Sequence, residues 1–218
     1  MAIESRVQYA LDNFLNPKFF DSKKDTYELL ETDDMGKTKL TLHVGTMDNI
    51  CIKNYDRNIV WNFLREEKNF HMRKSIDHFI LKKNLSNIWE LHMFEIKKTI
   101  QLSSWRDVKN QMRTSYFTIK ALATFLGIEI FNENIFTYTA YANDEKLSCA
   151  KFVENSTTKT FQTGHPLIDH KKDEWDANAI YIPLITPDGE EEFTKFKHTK
   201  IKLHSDDGLL KNNFELPN

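Results

Sequence analysis

Residues 73–98, RKSIDHFILKKNLSNIWELHMFEIKK, are the stretch on which the predicted fold of this chain depends. Two mostly apolar segments, 75–81 and 88–96, flank the polar segment KKNLSN, a pattern that predicts two strands joined by a turn. The second segment is apolar along most of its length, which is typical of a central strand buried on both faces. The hairpin is therefore expected in the interior of a sheet.

Three charged side chains stand at informative positions in this hairpin. Asp77 lies on the first strand, and the triplet Glu95-Ile96-Lys97 ends the second. Side chains alternate between the two faces of a strand, so Glu95 and Lys97 point the same way. A carboxylate in an apolar strand is costly to bury unless it is paired or binds a metal. Pairing of the two strands is expected to bring Asp77 into the same site.

The acid–x–lysine tripeptide alone is weak evidence because it recurs in this chain. Five other segments match it: Asp21-Ser22-Lys23, Glu66-Glu67-Lys68, Asp107-Val108-Lys109, Asp144-Glu145-Lys146 and Asp169-His170-Lys171. Those segments are charged, turn-like or helical, and a solvated ion pair is expected in each. Only Glu95–Lys97 ends a long apolar strand. The alternative interpretation is that Glu95 and Lys97 are edge charges leaving the core.

Two carboxylates and a lysine suit the hydrolysis of a phosphodiester bond. That reaction needs an activated water and stabilisation of charge on the phosphate, and Mg²⁺ or Mn²⁺ held by carboxylates supplies both. Mg²⁺ takes oxygen ligands and uses only one or two carboxylates. Asp77 and Glu95 are therefore candidate metal ligands, with the backbone carbonyl of Ile96 as a third. Lys97 would orient the nucleophile and stabilise negative charge.

Residues 73–141 resemble the restriction-endonuclease-like superfamily, the PD-(D/E)xK nucleases. The resemblance is carried by Ser75-Ile76-Asp77, then Phe94-Glu95-Ile96-Lys97, followed by a helix and another strand. It implies that Asp77 and Glu95 bind metal and that Lys97 is catalytic. Ile76 replaces the proline that names the motif. Many members also carry a glutamate on the first helix, for which Glu4 is the candidate here.

A helix is predicted at 103–126, ended by Gly127, with a basic stripe at spacings of three, four and seven residues. The stripe consists of Arg106, Lys109, Arg113 and Lys120. We expect these residues to bind nucleic-acid phosphates without reading sequence. Relatives often have a glutamine or tyrosine on this helix close to the site, so Gln111 and Tyr116 are further candidates. The alternative is a solvated face of an amphipathic helix.

The remaining pattern predicts a mixed α/β (α+β) fold. A helix is expected at 3–15, a loop with a helical turn from there to residue 37, and strands at 40–44, 50–52, 128–141, 179–185 and 193–203. We predict a restriction-endonuclease-like core at 1–143, with a central mixed sheet flanked by helices. Residues 144–218 are predicted to be a β-rich extension packed on that core, with a role in specificity, interaction or regulation.

Composition limits the possible classes of protein. The chain has 218 residues, 40% of them hydrophobic, and a formal net charge of −2. This charge argues against a uniformly basic nucleic-acid coat but allows a local basic face. Cys51 and Cys149 fit neither a disulfide framework nor a zinc cluster. No segment is apolar enough to cross a membrane, and the N-terminus does not read as a signal peptide, so a cytoplasmic protein is expected.

The sequence as a whole predicts a metal-dependent endonuclease that uses Mg²⁺ or Mn²⁺ and acts on nucleic acid, on DNA rather than RNA. Nucleases that cut both strands often pair two active sites, so a homodimer is also considered. Two alternatives stay open. One is a catalytically inactive nucleic-acid-binding module of nuclease fold, and the other is a protein-interaction factor in phage–host conflict.

Overall fold

The computed structural model describes residues 3–13, 17, 20–33, 36–53, 55, 74–144, 175, 178–185 and 191–217. Within these ranges the helices are α1 (Ile3–Asn13) and α2 (Leu102–Leu126). The strands are β1 (Phe20–Ser22), β2 (Thr26–Asp33), β3 (Gly36–His43), β4 (Asn49–Ile52), β5 (His78–Lys83), β6 (Trp89–Thr99), β7 (Ile135–Asn143), β8 (Ala179–Ile185), β9 (Glu191–Lys202), β10 (His204–Asp206) and β11 (Leu209–Glu215).

Two sheets organise the described strands. The main sheet has the order β1-β4-β5-β6-β7-β9-β8, and the second sheet has the order β10-β11-β3-β2. Strands β4, β5 and β6 are antiparallel neighbours, whereas β6, β7 and β9 run parallel to one another. Helix α2 makes the crossover that a parallel connection from β6 to β7 requires. The carboxyl ends of β6, β7 and β9 therefore lie at the same end of the main sheet.

The main sheet lies between helices on one face and the second sheet on the other. Leu91 and Met93 of β6 belong to an apolar cluster that includes residues of α1 and α2. Phe94 and Ile96, the alternate residues of the same strand, belong to a cluster that includes Leu29 of β2. The mixed α/β class is confirmed. In the described part of the chain, the prediction that helices flank the sheet holds for one face only.

The segment between α1 and residue 37 forms β1 and β2, so the prediction of a loop with a helical turn was wrong. Tyr27 and Leu29 are buried and alternate with exposed Glu28 along β2. Every residue of β2 pairs with β3 in antiparallel register. Glu28 on the outer face forms an ion pair with Lys39 of β3, with Nζ and Oε1 2.5 Å apart. Only two inward positions of this strand, Tyr27 and Leu29, are apolar, and the apolar Leu30 faces outward, so the alternation was too short to indicate a strand.

Most other predicted elements are confirmed. The helix predicted at 3–15 is α1, and the helix predicted at 103–126 is α2. Gly127 ends α2 in the left-handed conformation, with φ of 77°, which glycine adopts without strain. The strand predicted at 128–141 begins only after a 3₁₀ helix at Asn132–Asn134. Neither described helix is long and apolar enough to span a membrane.

The C-terminal region is β-rich, as predicted, and its strands enter both sheets. Strand β9 is hydrogen-bonded in parallel to β7, and β8 pairs with β9. Strand β11 pairs in parallel with β3 in the second sheet. Strands on both sides of the predicted boundary at residue 143 thus share their backbone hydrogen bonds.

His198 of β9 is buried between the main sheet and α2. The centroid of its ring lies 5.4 Å from that of Trp105, and its Nδ1 lies 2.8 Å from the hydroxyl oxygen of Thr137. Burial, together with the ammonium groups of Lys200 and Lys109, lowers the pKa of His198 to about 3. The folded protein therefore keeps this ring neutral above that pH.

Acid is expected to destabilise the wild-type protein more than a His198→Gln variant. The unfolded state has a histidine of ordinary pKa, 6.5, so it binds more protons than the folded state as the pH falls from 6.5 toward 3. This linkage lowers the free energy of unfolding by up to about 1.4 kcal/mol per pH unit in that window and is absent above it. Glutamine can still hydrogen-bond Thr137 but does not titrate. Urea denaturation at several pH values measures the difference, and identical pH profiles for the two proteins would disprove it.

Candidate active site

The acid-bearing hairpin has the register that the sequence pattern requires. Strand β5 begins at His78, which pairs with Phe94 of β6. Because antiparallel partners step in opposite directions, the next position brings Asp77 opposite Glu95. Asp77 is 5% exposed and Glu95 is fully buried. The two carboxylates therefore meet at the open end of the hairpin, on the face of the sheet that α2 covers.

Backbone N–H groups hold the two carboxylates in a reciprocal arrangement. The N–H of Asp77 donates to Glu95 Oε2 at 3.2 Å, and the N–H of Ile96 donates to Asp77 Oδ2 at 2.7 Å. The other oxygen of Glu95 forms an ion pair with Lys97 Nζ. The Lys97 side chain is 30% exposed, so it connects the buried acids with the surface. We refer to Asp77, Glu95 and Lys97 as the acid–lysine centre.

Helix α2 fixes the chain segment that leads into β5. Gln111 Nε2 donates to the Ser75 carbonyl oxygen at 3.0 Å, and the N–H of Ile76 donates to Ser115 Oγ at 3.0 Å. Gln111 and Ser115 are four residues apart and so lie on one face of the helix. Gln111 also hydrogen-bonds the carboxylate of Glu95. The sequence pattern indicated Gln111 but missed Ser115, for which helical spacing from Gln111 is the available signal.

Burial raises the pKa of both carboxyl groups of the centre. The charge of Glu95 raises the pKa of Asp77 further, whereas Lys97 and the Ile96 N–H oppose the shift. Burial disfavours the charged form of Lys97, but the charges of Glu95 and Asp77 outweigh it and raise its pKa. With both acids ionised, the centre contains two carboxylates and one ammonium. The centre therefore has a net negative charge in the protein interior, where an uncompensated charge lowers stability.

The donor set fits a hard divalent cation that retains water ligands. The N–H and C=O of one strand residue point to the same edge, so the Ile96 carbonyl is directed to the β5 side of β6, as its N–H is. Among the described residues, no group of three or more His, Cys, Asp or Glu side chains could hold a metal ion. Structural zinc takes four protein ligands, whereas Mg²⁺ uses one or two carboxylates. Asp77, Glu95 and the Ile96 carbonyl thus suit Mg²⁺ or Mn²⁺.

A third carboxylate, that of Glu31 on β2, lies within electrostatic range of the centre. Its charge raises the pKa of both Asp77 and Lys97. Glu31 belongs to the second sheet, in a segment predicted as a loop, so no sequence pattern linked it to the hairpin. Its charge increases the negative potential around the centre and favours a cation there.

The four basic residues predicted to form one nucleic-acid-binding face of α2 differ in exposure. Arg106 is exposed and Lys120 is partly exposed, but Lys109 and Arg113 are only 3% and 1% exposed. Lys109 Nζ lies over the ring of Trp105, 5.2 Å from its centroid. Helix α2 contacts α1 as well as the main sheet, so its buried face is wider than its apolar stripe indicates. The four side chains therefore do not form a single exposed face of α2.

Tyr116 and Glu4 are the two remaining candidate residues, and the structure does not describe either of them at the acid–lysine centre. Tyr116 Oη donates to Asn132 Oδ1 at 3.1 Å, close to where β7 begins. Glu95 pairs with Thr139, farther along β7. The Tyr116 hydroxyl is therefore directed toward the opposite end of the sheet. Glu4 belongs to α1, and its side chain is outside the part of the chain that the structure describes.

Removing one negative charge from the centre should stabilise the metal-free protein. The variant Asp77→Asn keeps an oxygen that can accept from the Ile96 N–H, and it ends the repulsion with Glu95. In chelator near neutral pH we expect the free energy of unfolding to rise, since the raised pKa of Asp77 means that the folded protein disfavours its charged form relative to the unfolded chain. Urea denaturation followed by circular dichroism measures this change.

The variant Asp107→Asn is the control for this stability measurement. Asp107 lies on the surface of α2 and forms an ion pair with Lys74, with side chains 48% and 42% exposed. Removing its charge ends a solvated ion pair, so no rise in stability is expected. A fall in the stability of Asp77→Asn in chelator would refute the electrostatic description of the centre.

Comparison with known proteins assigns this chain to no family. No protein-family model matches it, and no curated protein or solved structure is similar to it. The arrangement of Asp77, Glu95 and Lys97 is therefore the main guide to what this protein does.

Proposed function

We propose that this protein is a metal-dependent endonuclease that hydrolyses phosphodiester bonds of nucleic acid, with DNA as the first candidate substrate and RNA as the second. The observation that carries the proposal is the buried Asp77–Glu95 pair with Lys97 beside it. Two facing carboxylates in a core cost stability unless a cation binds between them. Costly charge of this kind, held in a fixed geometry, is typical of functional sites.

Asp77 and Glu95 are oriented before any ligand arrives. Each uses one carboxylate oxygen to accept from a backbone N–H, so the main chain of the hairpin fixes both groups. Preorganised polar groups of this kind lose little free energy to rearrangement during a reaction. When bound, Mg²⁺ or Mn²⁺ would polarise the phosphate and lower the pKa of a water molecule. The two carboxylates and the Ile96 carbonyl would hold it.

Lys97 is suited to stabilise charge during the reaction. Its ammonium is paired with Glu95 and its pKa is raised, so it is a cation near neutral pH. A protonated lysine cannot accept a proton from water. It can donate hydrogen bonds to a phosphate oxygen and to the attacking water, and its partly exposed side chain reaches the side from which a substrate would approach.

The order of elements around the centre supports the resemblance to the restriction-endonuclease-like superfamily. Asp77 immediately precedes β5, Glu95 lies on β6, α2 follows, and β7 returns parallel to β6. This is the order of hairpin, helix and strand on which the resemblance is based. The second sheet and Ile76 are departures from the expected pattern. Asp77, Glu95 and Lys97 nevertheless lie together at the hairpin, as the resemblance implies.

Cleavage assays test the proposal. The purified protein is incubated with plasmid DNA, single-stranded DNA and RNA in the presence of Mg²⁺, Mn²⁺ or a chelator. We expect cleavage with metal and none with chelator. The variants Asp77→Asn, Glu95→Gln and Lys97→Met should each reduce cleavage by about 100-fold or more, since each removes a charge that acts on the metal or the phosphate.

Asp107→Asn is the matched control for cleavage because Asp107-Val108-Lys109 has the same tripeptide pattern, but its acid lies on the surface of α2, away from the acid–lysine centre. It should keep wild-type activity. Full activity of Glu95→Gln would disprove the site assignment. A wild-type protein that cleaves none of the three substrates with either metal would disprove the nuclease function.

A nucleic-acid-binding module without catalysis is the second candidate. It is favoured by the fact that the described residues contain no group of three or more His, Cys, Asp or Glu side chains that could hold a metal ion. Metal titration separates the two functions. A metal-dependent rise in Tm that Asp77→Asn abolishes supports the nuclease, because only binding to the folded state stabilises it. Salt-sensitive nucleic-acid binding with no response to metal supports the module, and binding of neither supports a protein-interaction factor.

A further inference from the structure

Two lysines of β9 lie in register with the acid–lysine centre. The parallel pairing of β6, β7 and β9 places Lys97, Tyr141 and Lys202 side by side across the three strands. In the adjacent row, Glu95 and Lys200 flank the intervening strand β7 in the same way. Neighbouring strands are about 4.8 Å apart, so the Cα atoms of Lys97 and Lys202 are separated by about 10 Å.

The side chains of Lys200 and Lys202 lie on the same face of the main sheet as the centre. His198, two residues before Lys200, contacts Trp105 of α2. Strand alternation puts residues 200 and 202 on that same face. Glu95 also contacts α2. Both lysines and the centre are therefore on the helical side of the sheet, at the carboxyl ends of its parallel strands.

Aromatic rings support both ammonium groups. Lys200 Nζ lies 5.0 Å from the centroid of the Trp175 ring, and Lys202 Nζ lies 4.8 Å from that of Tyr141. Lys202 Nζ also lies 3.6 Å from Asp144 Oδ1, with side chains 47% and 22% exposed. An ion pair this exposed contributes little, so the ammonium can contact an additional anion. The rings reduce the side-chain freedom that binding would otherwise cost.

Lys200 and Lys202 lie in adjacent rows on one face of the main sheet, whereas the four basic residues of α2 do not form one exposed face. The side chains of Lys109 and Arg113 on α2 are buried, whereas Lys202 is exposed and Lys200 partly exposed. In open α/β sheets, ligands commonly bind at the carboxyl ends of the parallel strands. A phosphodiester chain crossing this end of the sheet would run from Lys97 over β7 to β9.

We propose that Lys200 and Lys202 bind phosphate groups of the substrate strand next to the scissile phosphate, a role that rests on the proposed nuclease function. Lysine contacts with phosphates fix the position of a nucleic acid without reading its sequence. Lys200 and Lys202 are positioning residues that bring the scissile bond to the acid–lysine centre. Asp77, Glu95 and Lys97 are the residues that act in the hydrolysis step itself.

The double variant Lys200→Ala/Lys202→Ala tests this role against a matched control on the same strand, Lys195→Ala/Lys197→Ala. The control lysines also lie over aromatic rings, 5.9 and 4.6 Å from the ring centroids, but on the opposite face of the sheet. Affinities for fluorescent duplex and single-stranded DNA are measured in chelator at several salt concentrations. Cleavage is measured separately in Mn²⁺, and thermal denaturation checks that each variant folds.

The variant Lys200→Ala/Lys202→Ala should bind DNA more weakly than the wild-type protein and with a lower salt dependence. Removing one lysine–phosphate interaction should reduce the slope of log K against log salt concentration by about 0.9 for duplex DNA and about 0.7 for single strands. In Mn²⁺, KM should rise more than kcat falls. The control variant should match the wild-type protein, and Lys200→Arg/Lys202→Arg should restore binding because it keeps the charges.

Equal salt slopes for the wild-type protein and the Lys200→Ala/Lys202→Ala variant would overturn the proposal. An equal decrease in slope in that variant and the control would also overturn it, since it would show a general effect of charge. The nuclease function and the phosphate-binding role of Lys200 and Lys202 can be rejected independently of each other. A protein that cleaves and depends on Glu95, but has unchanged slopes, retains the nuclease function and rejects this role. A protein that never cleaves, but has a reduced slope in the variant, retains the phosphate-binding role and rejects the nuclease.

Discussion

Strand β6 is buried on both faces, and this constraint determines what its charged residues can do. Glu90 and Glu95 are both buried on this strand, yet their surroundings differ. Burial raises the pKa of Glu90, but hydrogen bonds from His92 and Asn84 outweigh it, so the net shift is downward. Glu95 faces a second acid, Asp77, and its pKa is raised. The charge of Glu90 is compensated within the protein, whereas the pair formed by Glu95 has negative charge left for a cation.

The main sheet supplies the precision of the centre. The antiparallel pairing of β5 and β6 sets the two carboxylates opposite each other, and main-chain N–H groups of the same two strands fix their orientation. Helix α2 then holds the segment before β5 through Gln111 and Ser115. A site built on the backbone of regular elements tolerates little variation in geometry, which suits a reaction that depends on the position of a metal and a phosphate.

The position of β9 connects the centre with a basic surface. Because β6, β7 and β9 are parallel, residues far apart in sequence meet at one end of the sheet, with Lys97 on one side of Tyr141 and Lys202 on the other. Local periodicity indicated a basic strand at 193–203 but not that it would lie beside β7. It indicated a basic face on α2, where burial against the sheet and α1 removes Lys109 and Arg113 from the surface.

The sequence by itself determined the features that depend on one element and its burial: the acid-bearing hairpin, the helix that ends at Gly127, and the alternation that puts Glu95 and Lys97 on one face. These features follow from local periodicity, because the buried face of a helix or strand requires apolar residues at the regular spacing of that element. The tertiary structure alone decided which elements became neighbours. It brought Glu31 of the second sheet into electrostatic range of the centre and placed β9 beside β7. Such contacts depend on long-range strand pairing and on sheet-to-sheet packing, for which a single element carries no periodic signal.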